Sequence, residues 1–204
     1  MGGHAAGEIA SHIAASAVDE IMSGRGPESN MESLLRLAVE NANKRVFETQ
    51  RIKPEYRGMG STLTVLTFTE DRYYIAQVGD SRAYLLRSGT LHQLTRDHSL
   101  VWPLFESGIL NKDDISRHPQ KNLITRSIGT HPEVDADLFG GAALEDDTYL
   151  LCSDGLTDVL LDNDILNVLG GSRDPQELSD LMVNAANSGG GPDNITVVVV
   201  RLVP

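Results

Sequence analysis

The chain has 204 residues, 40% of them apolar, a single cysteine and a formal net charge of −12 with a pI near 4.8. The apolar share suffices for a sizeable core, and the acidic balance excludes a surface that neutralises nucleic-acid phosphates. The lone Cys152 excludes an internal disulfide and points to a reducing, cytoplasmic setting.

His4 and the glycine pair before it open the chain, and a helix follows at once. Ala6, Ile9, Ala10, Ile13, Ala14, Ala17, Val18 and Ile21 recur at three- and four-residue spacing, a narrow face of small residues suited to close packing. "SGRGPE" breaks that helix. A second one follows, with Ser29 and Glu32 spaced as a capping box and an apolar stripe from Met31 to Val46. From Ser61 the period shortens to that of strands: "STLTVLTF", "YYIAQVG", "RAYLLR" and "LHQLT", with Ser88-Gly89 as a tight hairpin turn. Residues 99–126 are mixed and polar, with short helical stretches around "LVWPLFESG" and "NKDDI". A strand "TYLLCS" comes next, then a helix beginning near "LTDVL", a helix from Pro175 to Asn187, and a final strand "NITVVVVRLV". That last run is apolar on both faces, as in a strand buried in the middle of a stack. The longest apolar run, "ITVVVV", is strand-sized, so no membrane span is expected, and no signal-peptide pattern is visible. Helices, then antiparallel strands, then helices again predict one α+β domain over residues 1–204.

Two aspartates stand where chemistry is plausible. Asp154 in "LLCSDGLTD" follows an apolar strand directly; Asp193 in "GGGPDNITVVVV" precedes one. If those strands are antiparallel neighbours, both carboxylates emerge at the same end of one sheet. Two such groups repel unless a cation lies between them, and hard oxygen donors suit Mg²⁺ or Mn²⁺. The plain alternative is a turn or cap residue at each position. Asp80 in "QVGDSRAYLL" reads most simply as part of a hairpin turn, and Asp97 in "LTRDHSL" as a cap of the helix after it. The histidines show no zinc-ligand spacing, and Cys152 sits inside an apolar strand with no base spaced to activate it.

Taken in order, "MGGHAAGE", "GMGSTLTV", "QVGDSRAYLLRSGTLHQLTRDHSL", "HPQKNLITRSIG", "LLCSDGLTD" and "GGGPDNITVVVV" resemble the bacterial 2C-type (PPM-type) metal-dependent serine/threonine protein phosphatases. The resemblance runs from residue 1 to about residue 203. It implies an α-β-β-α sandwich of two packed, mainly antiparallel sheets, with a two-metal Mn²⁺ or Mg²⁺ site at one end. Position by position it makes Asp154 and Asp193 metal ligands and Asp97 the ligand of a third, weaker metal. It makes His4 a proton donor near the substrate and residues 99–126 a flap where His118 meets substrate. The implied partners are phosphorylated proteins and a cognate Ser/Thr kinase, with no nucleic acid and no membrane.

In that family an Asp-Gly pair stands immediately ahead of the stretch resembling "MGGHAAGE", with a phosphate-holding arginine and the first strands further upstream. The chain as given begins after them. The expectation is therefore reduced or absent activity for these 204 residues alone. The alternative is a catalytically dead module that binds phosphoproteins or another chain.

Overall fold

Alternation along the strands decides how the layers stack. In the computed structural model, Tyr73 and Ile75 of one strand face Ala83, Leu85 and Tyr149 of others, while the intervening Tyr74, Ala76 and Val78 turn to the opposite side. The structure describes residues 4–26, 30–111, 114–115, 118–171 and 174–203, the side chains of His4 and Ala5 excepted.

The strands are β1 (Leu63–Phe68), β2 (Arg72–Val78), β3 (Arg82–Arg87), β4 (Thr90–Gln93), β5 (Asp137–Ala142), β6 (Thr148–Cys152) and β7 (Val197–Arg201). They form a three-stranded sheet, β1-β2-β5, and a four-stranded sheet, β4-β3-β6-β7, antiparallel throughout. Helices α1 (His4–Ser23) and α2 (Met31–Ile52) cover the outer face of the first sheet. There Ala10, Ala14 and Ala17 of α1 and Ala38 and Ala42 of α2 are buried, as the small-residue face requires. Helices α3 (Trp102–Glu106), α4 (Asp154–Thr157), α5 (Asp162–Leu169) and α6 (Pro175–Ser188) follow, and α4 to α6 cover the second sheet around Leu156, Ile165, Leu178 and Met182. The result is the expected α-β-β-α sandwich.

Several local expectations change. Asn30 caps α2, its side chain accepting from the Ser33 N–H at 2.9 Å; Ser29 lies outside the described residues. The helix near "LTDVL" is two helices, because the chain goes extended at Leu161 and restarts with the Asp164 carboxylate accepting the Leu161 N–H at 3.0 Å. In the "NKDDI" stretch residues 114–115 are helical, and residues 112–113 lie outside the described residues. Strand β5, in "DLFGGA", is an addition that composition hides: two of its six residues are glycines. Strand β7 lies between the layers as its apolar faces imply, with Val197 and Val199 toward the helices and Val200 between the sheets. It is an edge strand, however, and Val198 stays half exposed.

Gly79-Asp80 is not a hairpin turn. The strands on either side belong to different sheets, so this corner carries the chain from one layer to the other. Gly79 takes φ +107°, a conformation L side chains rarely adopt, and a Cβ there would stand 2.4 Å from Thr62 Cγ2. The buried Gln77 amide holds the corner by donating to the Gly79 carbonyl at 3.0 Å. Gly79→Ala therefore meets both strain and overlap and is expected to cost about 2 kcal/mol, a fall in Tm of roughly 6 °C. Thr62→Ser, which removes the obstructing methyl, should recover part of that loss; thermal unfolding of the single and double variants measures both.

Candidate active site

The pairing of β6 with β7 places the first two acids. The register sets Cys152 opposite Val197. Beyond the last pair, Ser153 continues the contact: its N–H donates to the Thr196 carbonyl at 3.1 Å, while its Oγ donates to the Asn194 carbonyl at 3.1 Å and accepts the Thr196 N–H at 3.0 Å. Ser153 thus occupies the N-cap position of α4, leaving Asp154 as the first helical residue rather than a cap. Gly155 permits the approach, since a Cβ at that position would lie 2.3 Å from the Asn194 carbonyl oxygen.

The outcome is like-charge crowding. Burial pushes the Asp154 carboxyl above its ordinary pKa, and the charges of Asp158 and Asp193 push it further. Asp193 is exposed, one oxygen accepting the Asn194 N–H at 2.7 Å.

A cavity of about 260 Å³ opens beside Asp154, and Asp80, Arg82, Asp97, Lys121 and Asp158 also line it. Asp97 does not cap a helix; α3 begins after Val101. Its buried carboxylate accepts from Arg82, with Nε 3.0 Å from both oxygens and an NH₂ group 2.6 Å from Oδ2. Asp80 sits at the sheet-crossing corner, where among the described residues Arg82 acts on it only through its charge and pairs instead with Asp97. Burial, then Asp154, then Asp97 raise its pKa to about 7.

His98 ties this corner to the 99–126 segment. Its Nδ1 accepts the Gly79 N–H at 3.0 Å, and the His98 backbone N–H donates to the Gly79 carbonyl at 2.9 Å. Nε2 faces Asp137 at 3.3 Å, which makes it the protonated nitrogen of a neutral ring. Burial, followed by the neighbouring Arg126, holds the His98 pKa below the usual value. The segment returns beside its start, where the Thr125 N–H donates to the His98 carbonyl at 2.7 Å and Arg126 pairs with Asp137 at 2.6 Å. Farther along, Lys121 reaches across to Asp158 of the α4–α5 connection at 2.8 Å.

Of the residues singled out in the sequence, the structure brings Asp97, Asp154 and Asp193 to one end of the sandwich. His118 is half-buried, with its Nδ1 accepting the Gln120 N–H at 3.2 Å, and is not among the described residues lining the cavity. The side chain of His4 lies outside the described residues. Cys152 is buried, and its thiol is pushed up to about 12 by burial, so it is inert. Arg82, Lys121 and Asp158 were not singled out; each acts through a partner at least fifteen residues away or across a loop, and no short motif carries that information.

Among the described residues, no three His, Cys, Asp or Glu side chains converge as a ready-made cage for a metal. The donor chemistry nonetheless fits a hard divalent cation. Asp154 is crowded by two like charges, and a cation would relieve the repulsion that raises its pKa.

The family model for protein phosphatase 2C matches residues 1–101. A serine/threonine phosphatase, stp, of Listeria welshimeri is 38% identical over 208 residues, covering 98% of this chain and 81% of that protein. The chain belongs to the protein phosphatase 2C family. The crystal structure of the Mycobacterium tuberculosis serine/threonine phosphatase PstP/Ppp superposes with a TM-score of 0.92 at 39% identity, covering all of this chain and 86% of that one. The catalytic domain of PstP in complex with two manganese ions gives a TM-score of 0.90 at 37% identity, covering all of this chain and 85% of that one. Members of this family are metal-dependent enzymes, and the acidic end of the sandwich is where such chemistry fits in this chain.

A pH effect follows from Asp80. A carboxyl whose pKa rises from 3.8 to about 7 on folding contributes its full stability below pH 3.8 and loses it as pH climbs through 7. Asp80→Asn removes that loss. In chelator-treated protein the substitution should leave Tm nearly unchanged at pH 4 and raise it by at least about 3 °C at pH 8, the shift that ~1 kcal/mol brings in a domain of this size. Thermal unfolding across that range checks the sign, and an equal effect at both ends would refute it.

Proposed function

We propose that these 204 residues act as one phosphatase domain, hydrolysing phosphoserine and phosphothreonine in proteins, with Asp154 and Asp193 as metal ligands. The juxtaposition of those two carboxylates by the β6–β7 register carries the reading. Asp97 ligates a further ion, oriented by Arg82. Bound Mn²⁺ or Mg²⁺ supplies positive charge that acidifies an attacking water and screens the phosphoryl oxygens. The new bond joins the water oxygen to phosphorus, the bond from phosphorus to the serine or threonine oxygen breaks, and His4 delivers a proton to that departing oxygen. Residues 99–126 form the flap that contacts the protein substrate, His118 included. The phosphoproteins are those of a cognate Ser/Thr kinase, and the setting is cytoplasmic; among the described residues no helix is long and apolar enough to cross a membrane.

The carboxylates described here offer a divalent ion few ligands, so the polypeptide by itself is expected to bind metal weakly and turn over slowly. The deciding assay is hydrolysis of p-nitrophenyl phosphate with and without Mn²⁺. Metal-dependent turnover should fall at least about 100-fold in Asp154→Asn or Asp193→Asn. Turnover indifferent to either substitution would remove both residues from the site. No turnover, with a phosphopeptide still retained, would favour the binding-module alternative.

A further inference from the structure

The ion pair between Lys121 and Asp158 has a second meaning. Both side chains border the cavity beside Asp154, and both keep solvent contact, with side-chain exposures of 25% and 21%. A partly exposed pair of this kind contributes little to stability and exchanges partners readily. The same cavity is strongly acidic: among the described residues, five aspartates line it against two cations, Arg82 and Lys121. Those two cations are already engaged, Arg82 on Asp97 and Lys121 on Asp158. A second, independent feature marks the wall. Trp102 is 8% exposed and lines the cavity, and its buried indole N–H has no acceptor among the described residues. Its ring belongs to a small apolar cluster with Val101, Ile115 and Phe105, so the wall is held by packing of its own. An unsatisfied buried donor costs about 1–3 kcal/mol, which a peptide carbonyl entering the cavity would recover.

We infer that Asp158 is a seat for a lysine or arginine of the phosphoprotein near the phosphorylated residue, and that Lys121 occupies this seat when no substrate is bound. The inference rests on the phosphoprotein reading above. The incoming cation replaces an ammonium with an equivalent charge, so the acidic lining needs no rearrangement. Its aliphatic stem lies against Leu160 and the half-exposed Leu161 in the same wall, as long cationic side chains favour. A backbone carbonyl of the same segment accepts from Trp102. Lys121 thereby competes with substrate, and the two halves of its ion pair act in opposite directions.

Trp102 is the only tryptophan of the chain, so its emission reports this cavity directly. The probes are two octapeptides carrying a non-hydrolysable phosphonate in place of the phosphate, identical except for arginine or its neutral isostere citrulline beside it. Both are titrated in Mn²⁺, with affinities from calorimetry and location from Trp102 emission. The arginine peptide is expected to bind about tenfold more tightly and to shift the emission. That ratio should fall to about one in Asp158→Asn and grow in Lys121→Met. Trp102→Phe, which keeps a ring but removes the donor, should weaken both peptides severalfold by calorimetry. Equal affinities in the unsubstituted protein, no binding of either peptide, a ratio that survives Asp158→Asn, or binding that leaves Trp102 emission unmoved would each overturn the inference. None of these readouts requires turnover, so failure of the hydrolytic reading shows separately, in the p-nitrophenyl phosphate assay.

Discussion

The register between β6 and β7 is the constraint on which the acidic site depends. Pairing Cys152 with Val197 leaves Ser153 to close the ladder and brings Asp154 against the loop that carries Asp193. A one-residue slip would reverse every side chain of β7, putting Val198 toward the helices and Val197 and Val199 between the sheets. The core therefore sets the site: the alternating burial of Leu150 and Cys152 on one side and Tyr149 on the other leaves one arrangement for the strand ends. Gly155 is the local concession that arrangement requires, since a side chain there would hold the α4 turn away from Asn194.

Two buried aspartates show how environment separates structural acids from reactive ones. Asp147 is 1% exposed, yet its pKa is lowered. Burial works to raise it, but two bonds from Arg87, the Leu144 N–H and the Tyr149 hydroxyl more than offset that. Arg87 also donates to the Ala142 carbonyl at 2.7 Å, so the same guanidinium fastens the two sheets together at that end. Asp80, at the opposite end, is 7% exposed, and burial with the charges of Asp154 and Asp97 outweighs its backbone hydrogen bond and Arg82, so its pKa rises to about 7. One end of the sandwich satisfies its charge and is closed. The other accumulates like charge around Asp80 and Asp154 that a bound cation would relieve.

Much of this was legible in the sequence because it is local. Period-two alternation revealed the strands, and the small-residue stripe revealed the α1–α2 contact. Ser88 and Gly89, both at positive φ in the structure, were readable as a two-residue hairpin. The antiparallel pairing that joins Asp154 to Asp193 was a conditional expectation, and the ladder bears it out. What failed was sheet membership. β2 and β3 are consecutive and separated by a turn signal, which reads as a hairpin, yet they lie in different layers. Nothing local distinguishes the two cases, because the deciding facts are the Thr62 contact behind Gly79 and the His98 ring above it. The hold of Arg82 on Asp97 was likewise invisible, as both residues look like ordinary strand-end charges until the strands are placed.

The 99–126 segment joins these themes. It is anchored at its two ends by the same hardware that shapes the corner: His98 grips Gly79, its carbonyl receives the Thr125 N–H, and Arg126 and Asp137 lock the return. Asp137 takes part as a full carboxylate; burial would raise its pKa, but Arg126 and His98 hold it below the ordinary range. Between those anchors the segment builds its own small core around Trp102 and Ile115 and touches the helical layer through Lys121. Its ends are bound by several hydrogen bonds, whereas among the described residues its crossing to α4 is the partly exposed Lys121–Asp158 ion pair. A segment so attached keeps the spacing of Asp80 and Asp97 fixed while its far wall stays exchangeable. Asp97 and Asp154 thus share one cavity with the Lys121–Asp158 crossing but answer to different restraints, and the charge of Asp158 on Asp154 is what couples the two.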